Sequence, residues 1–236
     1  MTINEAFYKL SAVPLTGSVG DDLMYVDSPT TLGTVASDSN IVDGKDGYDT
    51  LRIIAGVGGN FIIHGGITNV EAIQVASSLT EDVSSAAQRG NIVGINIDAR
   101  LQSSPLMISG NEASNQIIGG SDADFIYGYG GDDIFVVTST ADNMSFDSSS
   151  DSLDGGTGYD RVVVGLATGK TFTIASDATL TSVEEVLLAT VSGGKIAADK
   201  GDVKLDASSY TTGLILTGNL GLNVISGGTG ADTING

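Results

Sequence analysis

The chain has no cysteine, no tryptophan and a single histidine, His64. Disulfide frameworks, zinc fingers, haem and iron–sulfur centres are thereby excluded, because each needs soft or nitrogen ligands. Basic residues are scarce too: 10 Lys and Arg stand against 29 Asp and Glu, a formal net charge of −19. Nucleic acid and anionic membranes would be repelled, and the natural partner is a cation. No apolar run is long enough to cross a bilayer. The opening MTINEAFYKLSAVPLTG has neither the basic start nor the unbroken apolar stretch of a Sec signal peptide. Missing cysteine alone does not decide the compartment. There is no G-x-S-x-G elbow with a histidine partner, and the basic residues never cluster as a β-helical lyase or epimerase site would need, so the expectation is a protein that is not an enzyme.

Glycine is abundant, at 33 of 236 residues, and it keeps a frame. Gly110 to Val163 divides without insertion into GNEASNQII, GGSDADFIY, GYGGDDIFV, VTSTADNMS, FDSSSDSLD and GGTGYDRVV. Position six is Asn115, Asp124, Asp133, Asp142, Asp151 and Asp160, and position eight is Ile117, Ile126, Phe135, Met144, Leu153 and Val162. A nine-residue period with one acidic and one apolar position marks a solenoid built of turns and short strands. GSVGDDLMY from Gly17, GKDGYDTLR from Gly44, GNLGLNVIS from Gly218 and GGTGADTIN from Gly227 share the frame. Between these arrays lie plainer β-rich stretches such as VEAIQVAS and VEEVLLAT. Short helices are expected near Asn4–Leu10 and over Thr80–Gly90, the latter from its N-cap threonine, early acids and closing glycine.

A slower repeat lies above the nine-residue one. DGKDGYD and DGGTGYD begin at Asp43 and Asp154, a shift of 111 residues, and TNVEAI resembles TSVEEV. The expected organisation is an entry segment, 1–16, and two tandem solenoid units, 17–127 and 128–236. A full motif block closes the chain and would leave an open edge, so the chain is expected to be part of something longer.

Glycine at positions one, two and four permits positive φ and lets a tight turn aim its carbonyl oxygens inward. The position-six carboxylate adds a charged oxygen donor, and oxygen donors alone suit calcium. With two blocks per coil, block n stacks on block n+2 about 4.8 Å away, bringing like charges together. Calcium between turns would relieve that repulsion and couple binding to folding.

These blocks resemble the RTX family of exported bacterial proteins, whose nonapeptide is GGxGxDxUx. The resemblance implies an all-β, right-handed parallel β-roll or β-solenoid with calcium-binding turns, two long repeats and at most one or two short helices. It also implies export by a type I system, without an N-terminal Sec signal, to the cell surface or medium. Carried over block by block, the implied calcium ligands are Asp22 with Gly17 and Gly20, Asp49 with Gly44 and Gly47, and Asp124 with Gly119 and Gly120. They continue with Asp133 and its Gly128 and Gly131, Asp160 and its Gly155, Gly156 and Gly158, and Asp232 and its Gly227, Gly228 and Gly230. Asp142 and Asp151 sit in glycine-free blocks and are expected to be the weakest sites, while Asn115 and Asn223 are neutral and poorer ligands. His64 reads as a strand-edge residue. Glu184 and Glu185, pointing to opposite faces of a strand, cannot act as a catalytic pair. The long units resemble RTX-type surface-layer proteins and large secreted adhesins. The expected function is therefore a structural calcium-binding solenoid that associates with copies of itself at the cell surface. The alternative is a calcium-folded accessory or adhesive module of a larger exported enzyme or adhesin, with a surface glycan as partner.

Overall fold

The computed structural model describes residues 6–9, 15–26, 42–54, 59–63, 67–76, 93–140, 143–144, 151–176, 179–192 and 195–236. His64, Asp142 and the segment Thr80–Gly90 lie outside them. Every regular element among the described residues is a strand.

The apolar position-eight residues stack into two continuous columns, each on its own sheet. In the first, eight-stranded sheet the order follows the chain: Ala6–Lys9, Asp22–Val26, Thr50–Ile54, Ala72–Ala76, Met107–Ser109, Phe125–Tyr127, Ser152–Asp154 and Leu180–Thr181. Its parallel register aligns Met24, Leu51, Ile73, Ile108, Ile126, Leu153 and Leu180. The second sheet runs through Gly59–Ile62, Ile95–Asp98, Gln116–Ile118, Ile134–Thr140, Arg161–Gly165, Glu185–Ser192, Ile215–Thr217 and Thr233–Asn235. There Phe61, Ile97, Ile117, Phe135, Val162, Val186, Leu216 and Ile234 form the matching column. All but the terminal Ile234 are buried, at roughly 1.5–3 kcal/mol each. Plain β stretches and motif blocks thus supply one core between them. This is the parallel solenoid expected from the period.

The coil is not of constant length. Met107 pairs with Phe125 and Gln116 with Ile134, one coil of two blocks, as expected. Phe125, however, pairs with Ser152 and Ile134 with Arg161, so the next coil holds three blocks. The extra block leaves the wall: Ile134–Thr140 overruns its ladder and turns back on Asn143–Met144 as an antiparallel hairpin. A second hairpin, Glu185–Ser192 with Lys195–Ala198, projects in the same manner. Stacking of block n on n+2 therefore fails at the seam, where the three-block coil sets Asp151 against Asp124. From Ile95 to Gly165 the chain alternates between the two large sheets. Before and after this stretch a narrow third sheet is inserted, Leu15–Thr16, Val42–Asp43 and Ile67–Thr68 on one side and Thr171–Thr173, Val203–Asp206 and Asn223–Ser226 on the other.

The helix expected near Asn4–Leu10 is corrected. Ala6–Lys9 is a strand paired in parallel with Asp22–Tyr25. A free ladder edge offers its backbone groups better partners than one isolated helical turn could, and tertiary pairing overrides local propensity.

Candidate metal centre

The position-six aspartates among the described residues form two columns along the edges of the large sheets. All of them but Asp22 reach to the coil before and accept a backbone N–H there. Asp22 N–H donates to Asp49 Oδ1 at 2.8 Å, Leu106 N–H to Asp124 Oδ1 at 2.9 Å and Asp124 N–H to Asp151 Oδ1 at 2.7 Å along the first sheet. Along the second, Asn115 N–H donates to Asp133 Oδ1 at 2.7 Å, Asp133 N–H to Asp160 Oδ1 at 2.8 Å and Leu214 N–H to Asp232 Oδ1 at 3.0 Å. Asp22, Asp49, Asp124, Asp133, Asp151 and Asp160 are all buried, and Asp232 is half-buried. Asp151 occupies the same structural place as the aspartates of glycine-rich blocks.

The second carboxylate oxygens point into the turns. Asp22 Oδ2 accepts Ser18 N–H at 2.5 Å and Asp124 Oδ2 accepts Gly120 N–H at 2.6 Å. Asp49, Asp133 and Asp160 each keep a buried Oδ2 with no hydrogen-bond partner. Glycine at position one makes room for these oxygens. A Cβ on Gly128 would collide with Asp133 Oδ2 and stand 2.5 Å from the Gly155 carbonyl oxygen of the next coil. Gly17 is placed likewise against Asp22 Oδ2 and the Gly44 carbonyl, and a Cβ on Gly227 would lie 2.5 Å from Asp232 Oδ2. Gly20, Gly47, Gly131, Gly156 and Gly158 have φ of 140, 141, 95, 96 and 142°. Position two takes positive φ in Gly156 and also in Lys45, at 80°, and Tyr129, at 78°, so these turns hold the shape even in a residue with a Cβ. Gly119 is buried, and added Cβ atoms on Gly120, Gly228 and Gly230 would strike the backbone of Gln102, Tyr210 and Thr212 respectively.

Burial, more than any neighbour, pushes these carboxyls up: Asp133 to about 8, and Asp124 and Asp160 to about 6, with Asp49 raised as well. Asp160 adds to the effect on Asp133, Glu184 to that on Asp160 and Glu71 to that on Asp49, while the backbone N–H donors oppose it. The metal-free columns are thus buried like charges facing carbonyl dipoles. No group of three or more His, Cys, Asp and Glu side chains converges as a metal-binding cluster among the described residues. The donors on offer are one or two carboxylates per coil together with backbone carbonyls. Such an oxygen set fits calcium and does not fit zinc.

The asparagine blocks solve the same problem differently. Asn115 Nδ2 donates to Asn111 Oδ1 at 3.0 Å and to the Ala113 carbonyl, and Asn223 Nδ2 donates to the Asn219 and Gly221 carbonyls at 3.1 and 2.8 Å. An amide N–H₂ satisfies inward turn oxygens that an aspartate leaves to a cation. Asn115→Asp removes those donors and adds a charge. It is expected to raise the number of calcium ions bound by about one in native mass spectrometry, and an unchanged count would refute this account of the asparagines.

Sequence reading overlooked Glu71 and Glu184. Glu71 Oε2 accepts Asp49 N–H at 2.8 Å and Glu184 Oε2 accepts Asp160 N–H at 2.7 Å, continuing both columns beyond the motif. Glu185 points away and accepts from Thr217 Oγ1 at 2.8 Å, so the two glutamates do face apart. The signal was present in the likeness of TNVEAI to TSVEEV. Hydrogen bonding recurs at the 111-residue shift: Tyr48 N–H donates to Asp21 Oδ1 at 2.8 Å and Tyr159 N–H to Asp132 Oδ1 at 2.9 Å. Yet Asp22 and Asp49 lead into the first sheet, whereas Asp133 and Asp160 lead into the second.

Fold and turns together define a parallel β-solenoid with cation-binding turns. A family model, the RTX calcium-binding nonapeptide repeat in four copies, matches residues 109–143 and 215–236. The chain thus carries RTX repeats, and calcium is the ion they bind. The matched residues do not include Gly17–Asp22, Gly44–Asp49 or Gly155–Asp160, which fold into turns of the same construction. No curated protein and no solved structure matches the chain.

Proposed function

We propose that the chain is a non-catalytic, calcium-folded structural module of an exported protein, and that copies of it associate at the cell surface as a layer or filament. The observation that supports association is apolar surface on the solenoid wall. Phe125, on the outer face of the first sheet beside the buried Ile126, is 53% exposed, and Leu101 is 55% exposed. Apolar side chains left open on a wall of stacked parallel strands can pack against a neighbouring copy. Acidic composition supports an extracellular, calcium-rich setting, and among the described residues no helix is long and apolar enough to cross a membrane. Electron microscopy of the purified chain in ~1 mM calcium tests this reading. Lattices or fibres that dissolve in chelator are expected. Lasting monodispersity together with glycan-array binding would replace it with the accessory or adhesive module.

A further inference from the structure

Two nonapeptide ladders end in the same way, and neither ending carries the motif. The coil after Asp49 is entered through Thr68-Asn69-Val70-Glu71, and the coil after Asp160 through Thr181-Ser182-Val183-Glu184. Val70 and Val183 are buried and anchor the segments in the core. Asn69 and Ser182 both adopt a left-handed backbone, each with φ of 52°, at a cost of about 1–2 kcal/mol for a residue with a Cβ. The Thr68 carbonyl accepts Gly44 N–H at 3.1 Å and the Thr181 carbonyl accepts Gly155 N–H at 3.0 Å. The left-handed residue that follows then turns its own carbonyl to the turn. A Cβ on Gly44 would strike both the Asn69 carbonyl oxygen and Asp49 Oδ2, and one on Gly155 would strike the Ser182 carbonyl oxygen and lie 2.7 Å from Asp160 Oδ2.

Around each terminal aspartate, three kinds of oxygen therefore gather: the unpartnered Oδ2 of a fully buried carboxylate, a carbonyl held by backbone strain, and the carboxylate of Glu71 or Glu184. An ending that only had to accept the aspartate N–H could use a neutral amide, as Asn115 Oδ1 does for Ile95 N–H at 3.3 Å. Placing a second negative group beside a buried one makes sense if a cation lies between the coils.

We propose that each Thr-x-Val-Glu segment closes its ladder with a calcium site outside the nonapeptide motif. One site takes Asp49, Glu71 and the Asn69 carbonyl, the other Asp160, Glu184 and the Ser182 carbonyl. The proposal rests on the calcium-binding reading of the ladders themselves. Calcium takes six to eight oxygens, waters included. A cavity lined by Tyr159, Ser182, Glu184 and Thr212 borders the second site and leaves space for those waters. Each site would tie a plain β wall to a calcium ladder, so that the ion orders both.

The test counts calcium ions bound by the full chain, by native mass spectrometry and calorimetry, in wild type, Glu71→Gln, Glu184→Gln and the double variant. Asp133→Asn serves as the reference for a ladder site and Glu185→Gln as a charge control. Glutamine keeps an oxygen for the aspartate N–H, so the coil can still close. Each column variant is expected to lose about one ion or to weaken one site at least ~tenfold, the double variant to lose both, and Glu185→Gln to lose none. Should Glu184→Gln fail to fold in calcium, Glu71→Gln carries the same test in the other unit. Wild-type counts in the glutamate variants, with a loss in Asp133→Asn, overturn the proposal and leave the ladders standing. A wild-type chain that binds no calcium overturns both.

Discussion

In excess chelator at neutral pH the chain loses most of its β-sheet circular dichroism, and added calcium returns it in one steep transition. The buried, unpartnered Oδ2 atoms of Asp49, Asp133 and Asp160 are the reason. Each unsatisfied buried polar atom costs about 1–3 kcal/mol, and more when charged. Several together approach the whole net stability of a domain, about 5–15 kcal/mol. The formal charge of −19 adds self-repulsion. An ion shared by two coils removes both penalties, and its binding free energy becomes folding free energy. The transition is steep because each coil touches only its neighbours, so one ordered coil templates the next. Magnesium, which demands near-ideal octahedral geometry and gives up water reluctantly, does not substitute. A β signal indifferent to chelator would refute this coupling.

The core was legible because its period is local. Position eight of each block names Met24, Leu51, Ile126 and Leu153 of one buried column and Ile117, Phe135 and Val162 of the other. Position six likewise names the charged columns. The stacking partner was not legible, since it depends on how many residues a coil spends before returning. The ladder from Ile134 to Arg161 is longer by one block than that from Gln116 to Ile134, and only register reveals it. Glu71 and Glu184 were hidden for a related reason. Their segments read as strand starts, and nothing local says that Asn69 and Ser182 turn left-handed or that the glutamate reaches back to the previous coil. The Ala6–Lys9 strand depends wholly on the free edge of Asp22–Val26. Where a feature needs two segments far apart in sequence, one segment alone cannot announce it.

Acid should replace calcium in part. Burial raises Asp133 to about 8 and Asp124 and Asp160 to about 6, against 3.8 for a free aspartate, and raises Asp49 too. These raised values belong to the folded, metal-free chain, which therefore binds more protons than the unfolded chain between them and 3.8. Stability from this source is fully present below the unfolded value and is lost as pH rises through the folded ones. In chelator the β signal is accordingly expected to be largest near pH ~4 and to fall away by pH ~8. Calcium binding runs the other way, because the ion needs carboxylates and displaces their protons. The calcium midpoint should fall by roughly tenfold per pH unit for each proton displaced as pH rises across the same window. Circular dichroism against pH in chelator, paired with calcium titrations at the two ends, measures both slopes. Equal unfolding in chelator at both ends, with a calcium midpoint independent of pH, would mean that the buried aspartates do not carry the charge that calcium is bound to neutralise.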